Sequence, residues 1–325
     1  MEKITVYGLP LNPMPALEQL RGASFCVSYG TRDKLGKQLD QAIELVGENQ
    51  ILLVDNGAFS AWQNGVDTMS DETYLEGFAT WANDITARCP QAIVVLPDVI
   101  DGTVQQNHDL ACECTMMLDA GDRLMPIWHM HEPISYLLHL CEGFHYIGIG
   151  SSGAYANPKS AKWNERIKEA FAAIDKWEAD GEGAYVRPRI HMMRAQDRHH
   201  LFPFDSSDST NVAVNHNRWA RTHGRDNHVA RFAARVDAKI QASAGPEAEH
   251  QKARPLADLL TDQQSCAINL EYARERGWWD GTGPTEEQKT ITRAAINRIF
   301  EEMIAANEAA NADGLDIPEF LKRAA

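Results

Sequence analysis

The 325-residue chain lacks any apolar run approaching the roughly 20 residues that a membrane-spanning helix needs, so a membrane protein of the helical kind is not expected. Its first ten residues, MEKITVYGLP, lack the apolar core of a secretory leader, and a cytoplasmic setting is expected. Cysteine is scarce. Six in a chain of this length do not make a disulfide framework, and a reducing compartment is the simpler reading. Cys112 and Cys114 form an isolated C-x-C with no second pair at zinc spacing, so a structural metal is not expected. Positive charge is also short: 31 Lys and Arg stand against 46 Asp and Glu. The resulting net charge of −15 argues against a protein that coats nucleic acid nonspecifically.

What is present is a repeating pattern. Eight short runs rich in β-branched residues read as strands: 4–8, 24–30, 51–57, 92–98, 124–130, 146–152, 189–194 and 201–207. Helical stripes separate most of them. Tyr74, Phe78, Trp81 and Ile85 share one face over about 71–87, and a second helix is predicted over about 104–118. Trp163, Ile167, Phe171, Ile174 and Trp177 step by four, four, three and three, and Val229, Phe232, Val236 and Ile240 repeat the pattern. Alternating strand and helix implies a parallel sheet. Eight repeats predict an α/β fold of the (β/α)8 TIM-barrel type over residues 1–244, with a doubly wound open sheet as the competitor. The polar, proline-bearing stretch 242–255 reads as a boundary. The capping-box signature Thr285-Glu-Glu-Gln288 then opens a helical pattern, so 245–325 is expected to be a small helical extension.

Polar side chains gather where these strands end. Strand three ends on Asp55, followed by Gly57 and Phe59. Strand four ends on Asp98, with Asp101 close behind, and strand five on Trp128, His129 and His131. Strand six ends on Gly148 and Gly150, strand seven carries His191 and Arg194, and strand eight ends on Asp205, with Asp208 three places later. One such aspartate is ordinary turn or cap chemistry. Three carboxylates at one barrel mouth repel each other and suggest a use: nucleophile, proton carrier, or acceptor for the N–H edge of a base. Gly148-x-Gly150-x-x-Gly153 matches a dinucleotide fingerprint only formally, because Asn157-Pro158 delays the next helix. Bare backbone that lets a flat ring approach is the preferred reading. Between Arg187 and Lys239 the local charge is about +5 in this acidic chain, which suits either a solvated helix face or a phosphate-facing surface.

In this order the motifs resemble those of tRNA-guanine transglycosylases, and more closely those of phage and bacterial relatives that insert 7-deazaguanines into DNA. The family's Asp-Ser-Gly-Gly-Phe motif has its counterpart in Asp55-Asn56-Gly57-Ala58-Phe59. Its base-recognising aspartate corresponds to Asp98, its glycine strand to Gly148–Gly150, and its late nucleophilic aspartate to Asp205 in Phe204-Asp205. The likeness spans roughly residues 20–220. Its zinc site of three cysteines and a histidine is missing here, since only Cys266 lies in that region, and its Gln-Gly-Gly is replaced by Trp128, His129, Met130 and His131.

The resemblance implies a pentosyltransferase that exchanges guanine in DNA for a free 7-deazaguanine (preQ0-like) base through a covalent glycosyl-aspartate. Asp205 would be the nucleophile, Asp208 the alternative nucleophile and Asp55 the general acid/base. Asp98, Gly57, Phe59, Trp128, His129, Gly148, Gly150 and His191 would bind the base, and Arg194, Arg198, Arg218 and Arg221 the nucleic-acid backbone. It implies no metal, no redox cofactor and no membrane, and a host cytoplasm if the chain is phage-encoded. A partner protein or a homodimer stays open. The alternatives are the same enzyme acting on tRNA, a metal-dependent barrel hydrolase using His129, His131, His191 and Asp205, and a non-catalytic nucleic-acid-binding module.

Overall fold

The computed structural model describes residues 3–65, 69–181 and 186–241. The proposed boundary at 244 and the helical extension over 245–325 lie outside these. Nine strand segments run parallel: β1 (Ile4–Gly8), β2 (Ser24–Ser28), β3 (Leu52–Asp55), β4 (Ala92–Val95), β5 (Leu124–Met125), β6 (Ile127–His129), β7 (Tyr146–Gly150), β8 (Arg189–Met192) and β9 (Ser206–Ser209). Their order in the sheet is β5-β4-β3-β2-β1-β9-β8-β7-β6.

The two apparent edges are one piece of chain. β5 pairs with β4, β6 pairs with β7, and only Pro126 separates them. Proline has no N–H to give to a ladder, but its carbonyl still accepts from Gly148 N–H at 2.9 Å, so the strand continues across it. Counted as one strand, 124–129 closes an eight-stranded (β/α)8 barrel.

The helices are α1 (Arg32–Leu35), α2 (Gln38–Leu45), α3 (Ala58–Gln63), α4 (Glu72–Arg88), α5 (Val104–Thr115), α6 (Ile134–Gly143), α7 (Ala161–Asp180), α8 (Asn211–His223) and α9 (His228–Gln241). Their starts follow local chemistry. Asp71 caps α4 by accepting from the N–H groups of Thr73 and Tyr74, and Thr103 and Gln106 form a capping box on α5. The stripe Trp163, Ile167, Phe171, Ile174, Trp177 is the buried face of α7.

Strand alternation divides the apolar residues into two cores. Ile4, Val6, Leu53, Ile93, Val95, Met125, Ile127 and Tyr146 fill the barrel interior. Phe25, Val27, Leu52, Val54, Val94 and Leu124 point outward, into the layer shared with the helices. Among the described residues no helix is long and apolar enough to cross a membrane.

One strand differs from expectation. The sequence pattern places the last strand over 201–207, on the apolar Leu201-Phe202-Pro203-Phe204. Those aromatics instead join an outer cluster: Phe202 meets Trp163 at 5.6 Å between ring centroids, and Phe204 meets Phe171 at 5.2 Å. The strand proper is Ser206-Ser-Asp-Ser209, and it pairs with both β1 and β8. Its buried hydroxyls are satisfied by histidines, one on each face. Ser206 Oγ lies 2.8 Å from His191 Nδ1, and Ser207 Oγ lies 2.7 Å from His199 Nδ1. His199 Nε2 faces the Phe204 carbonyl at 2.9 Å, so that nitrogen carries the proton and Nδ1 accepts from Ser207. Burial pushes the His199 pKa down to about 3, which keeps this ring neutral.

Candidate active site

The strand shift decides which aspartates meet. Ser206, the first residue of β9, pairs with Ile4, the first residue of β1. Asp205 therefore stands at the N-terminal end of the barrel, away from the mouth. Its carboxylate accepts from Ile190 N–H at 2.8 Å, and the charges of Arg189, Arg187 and Lys3 surround it. The assignment of Asp205 as nucleophile is corrected accordingly: it ties β8 and β9 together at the floor. Asp208 shares the inward parity of Ser206 and comes up at the C-terminal end, where (β/α)8 sites lie.

Asp208 has three supports. Its Oδ1 accepts from the backbone N–H of Arg194 at 2.7 Å and lies 3.4 Å from His191 Nε2. Burial would raise its pKa, but the His191 contact, the Arg194 N–H and the Arg194 charge outweigh that and hold it below the ordinary carboxylate value. Arg194 adopts φ 63°, a left-handed conformation that costs a non-glycine residue on the order of 1–3 kcal/mol. That conformation accompanies the N–H bond to Asp208. His191 is fully buried beneath Asp208 and holds Ser206 on its other nitrogen. It supports the carboxylate from below, which corrects its place among the base-binding residues; neither it nor Asp208 is among the residues lining the cavity described below, and Asp208 stands beside that cavity under Arg194.

Asp55 ends β3 and shows the opposite tendency. Burial lifts its pKa above the ordinary value and the charges of Asp208 and Asp98 add to the lift, while Ser28 and Arg194 pull the other way. Cys26, inward on β2, feels both Asp55 and Asp208, which places the two carboxylates around one space.

Asp98 follows β4 and is buried. Its Oδ1 accepts from Asn56 Nδ2 at 3.0 Å, and its Oδ2 lies 3.0 Å from His129 Nε2. Asn56 also donates to the Leu96 carbonyl and accepts from Ala58 N–H, so this residue of the Asp-Asn-Gly turn braces strand four and opens α3. The His129 backbone N–H donates to Glu132, and Glu132 accepts from Asn107, which in turn exchanges hydrogen bonds with the backbone of Val99. This buried chain joins the segment after Asp98 to the segment bearing His129. Neither Glu132 nor Asn107 was singled out by sequence; no spacing signal marks them.

Asp55, Asn56, Phe59, Asp98, His129, Gly150 and Arg194 line a cavity of about 170 Å³, with Ile100, Ile127 and Met193 among its apolar walls. It is smaller than the roughly 300–1,000 Å³ of drug-sized pockets and suits a compact ring. The Arg194 guanidinium carbon stands 3.6 Å from the centre of the Phe59 ring, a cation–π contact across the rim.

Other expected base contacts are placed elsewhere. Trp128 has the opposite strand parity to His129, and its indole N–H donates to the Pro133 carbonyl in the outer layer, so it does not stack on anything in the cavity. Gly148 sits deeper, where a Cβ would meet Ile127 Cδ1 at 2.3 Å; it serves barrel packing. Gly57 has φ 86°, and a Cβ there would come within 2.6 Å of Gly30 N, so its close approach is to the protein's own backbone. His131 bonds Ser152 and the Gly102 carbonyl through its two ring nitrogens, which removes it from a shared metal set with His129. Among the described residues no three His, Cys, Asp or Glu side chains gather as a metal site would require.

Of the arginines expected at a nucleic-acid backbone, Arg194 is at the rim. Arg198 donates to Asn164 and is half-buried, and Arg218 and Arg221 are exposed on α8. Trp219 stacks on His223 at 4.3 Å beside them.

No protein-family model and no curated protein matches the chain. Among solved structures, CdNal from Clostridium difficile in complex with mannosamine aligns over 92% of this chain and 99% of that one, at 13% identity and a TM-score of 0.42. A likeness that slight bears on neither substrate nor reaction.

Proposed function

We propose that the chain is a base-exchanging transglycosylase that replaces guanine in DNA by a 7-deazaguanine, with Asp208 as nucleophile. The observation that carries this reading is the opposed treatment of two carboxylates at one mouth. Asp208 is held ionised by His191 and Arg194, while Asp55 is pushed toward its protonated form by burial and like charge.

The balanced steps are these. An Asp208 oxygen bonds to C1′ of the target deoxyguanosine as the C1′–N9 bond breaks, and the departing guanine takes a proton from Asp55. The product is a glycosyl ester on Asp208, as in retaining glycosyl transfer. A 7-deazaguanine enters the cavity, gives its N9 proton to Asp55, bonds to C1′ through N9 and releases Asp208. Asp98 accepts from the N–H edge of either base. The target nucleotide has to leave the stack to reach a cavity of this size. Exposed Arg218 and Arg221, in a basic stretch of an acidic chain, would meet phosphates. DNA is preferred over tRNA because the zinc motif of the tRNA enzymes has no counterpart in the sequence.

The test is incorporation of 7-cyano-7-deazaguanine into guanine-containing DNA and into tRNA, side by side, read by mass spectrometry of the released nucleosides. Incorporation into DNA supports the reading. Incorporation into tRNA alone overturns the choice of substrate, and incorporation into neither overturns the reaction.

A further inference from the structure

Outside the candidate active site, two histidines meet ring to ring. His216, on α8, is fully buried, and His228, the first residue of α9, is half-buried. His216 Nδ1 lies 3.0 Å from His228 Nε2, with the ring planes 25° apart. The outer nitrogens both face main-chain carbonyls. His216 Nε2 is 2.8 Å from the Asn12 oxygen, and His228 Nδ1 is 2.8 Å from the Arg225 oxygen. A carbonyl only accepts, so each outer nitrogen carries a proton. Asn217 Nδ2 donates to the same Asn12 oxygen at 3.3 Å, and its 3.2 Å separation from His216 Nε2 is that of two donors sharing one acceptor. The inner nitrogens then need a third proton, because without one two lone pairs would face each other at 3.0 Å. Two neutral imidazoles bring only two protons. One ring is therefore doubly protonated.

We propose that His216 and His228 form a proton-binding site, one proton held between two rings, that latches α8, the start of α9 and the connection leaving β1 to one another. The charge belongs on His228. Burial, joined by the charge of His228, lowers the His216 pKa, although the Asn12 carbonyl pulls the other way. His228 then donates from both nitrogens, to His216 Nδ1 and to the Arg225 carbonyl, and charge-assisted bonds of this kind are the stronger ones. The surroundings are mixed. Arg225 and Arg231 carry the same sign, and Asp226 the opposite one. Arg231 is turned to the carbonyls of Asp226 and His223, and His223 is stacked on Trp219. On the 3-10 helix Met14–Leu20, Gln19 accepts from the Val229 N–H and Glu18 is paired with Arg21. Unfolded, the two histidines titrate separately near the ordinary value of 6.5. Folded, they hold one proton. Below that value the unfolded chain binds more protons and stability rises with pH. Above it the unfolded chain binds fewer, and stability falls as pH rises. The contribution of the pair therefore peaks near the ordinary imidazole value. None of this depends on the base-exchange reading.

The experiment has two parts, both on the full chain. Nitrogen-15 NMR of the histidine rings at pH 7.5, with His228→Gln and His216→Asn to assign the signals, reads where the protons are. His228 should be protonated on both nitrogens and His216 on Nε2 alone. Two neutral rings, or two rings that titrate separately at the ordinary imidazole value, overturn the inference. Denaturant midpoints between pH 5 and 9 read the linkage. The difference between the wild type and His228→Ala should be largest near the ordinary imidazole value and shrink on both sides of it. A difference that is flat, or that grows steadily toward pH 9, overturns the inference. His228→Gln separates the proton from the packing, since its amide donates to His216 Nδ1 without titrating. It should keep part of the stabilisation and hold it level from pH 7 to 9, where the wild type declines. A decline in step with the wild type counts against the latch.

Discussion

The two ends of the barrel treat the same side chain in opposite ways. At the floor, Asp205 accepts a backbone N–H and is ringed by Lys3, Arg187 and Arg189. At the mouth, Asp55 and Asp98 line a small cavity together with Arg194, and Asp208 stands near Asp55, bonded to the Arg194 backbone. At the floor burial lifts the Asp205 pKa while the Ile190 N–H and the nearby cations oppose that lift, and the carboxylate fastens a strand. The mouth keeps like charges together at a cost in stability, held by a left-handed arginine backbone, a buried histidine and a bridging asparagine. Like charges that a fold gathers in one place at such a cost are where chemistry is to be sought.

Four substitutions probe that contrast. The largest effect is expected from Asp208→Ala, which removes the attacking oxygen; base exchange should fall by at least ~10³-fold in single-turnover assays. Full activity in this variant would erase the distinction between the two ends. Asp55→Asn should lower exchange by roughly 10²- to 10⁴-fold, the usual range for a proton carrier. It should also alter the pH dependence of stability. The folded pKa of Asp55 lies above its ordinary value of 3.8, so the wild type loses stability through this group as pH rises from that value into the raised one, and the variant should not. Asp208, with a folded pKa below 3.8, contributes stability above that value and loses it as pH falls. Chemical denaturation across pH 3–8 separates the two signs.

Asp205→Ala should act on the fold alone. Leaving the buried Ile190 N–H without its acceptor should cost roughly 1–3 kcal/mol in denaturant melts, with exchange per folded molecule unchanged. The smallest effect belongs to Trp128→Phe, which removes one indole hydrogen bond to Pro133. About 1 kcal/mol of stability should go, and the rate should change less than twofold. A stacking role for Trp128 would instead appear as a large loss of base affinity.

Much of the fold was legible because seven strands advertise themselves with β-branched apolar runs and the helices with clear stripes. The eighth is written in serines. Ser206 and Ser207 are held by backbone pairing on both sides and by histidines above and below the sheet, neither of which a hydropathy pattern records. The neighbouring Phe202-Pro203-Phe204 draws the expected strand upstream of the true one, and that displacement exchanges Asp208 for Asp205, three residues earlier. Trp128 was misplaced for a related reason: adjacent residues on a strand face opposite sides, and the sequence did not say which faced in. Asp55 and Asp98 were legible because each directly follows an unmistakable apolar run. Glu132 and Asn107 were not, since a buried network is assembled by the fold from residues far apart in the chain.

The central claim is that the attack comes from the upper aspartate of the last strand. The direct measurement is to trap the protein on guanine-containing DNA in the absence of an incoming base, digest both polymers, and locate the deoxyribosyl ester by fragment-ion mass spectrometry of the peptide spanning residues 199–218. The account predicts the added mass on Asp208. An ester on Asp205 would contradict it.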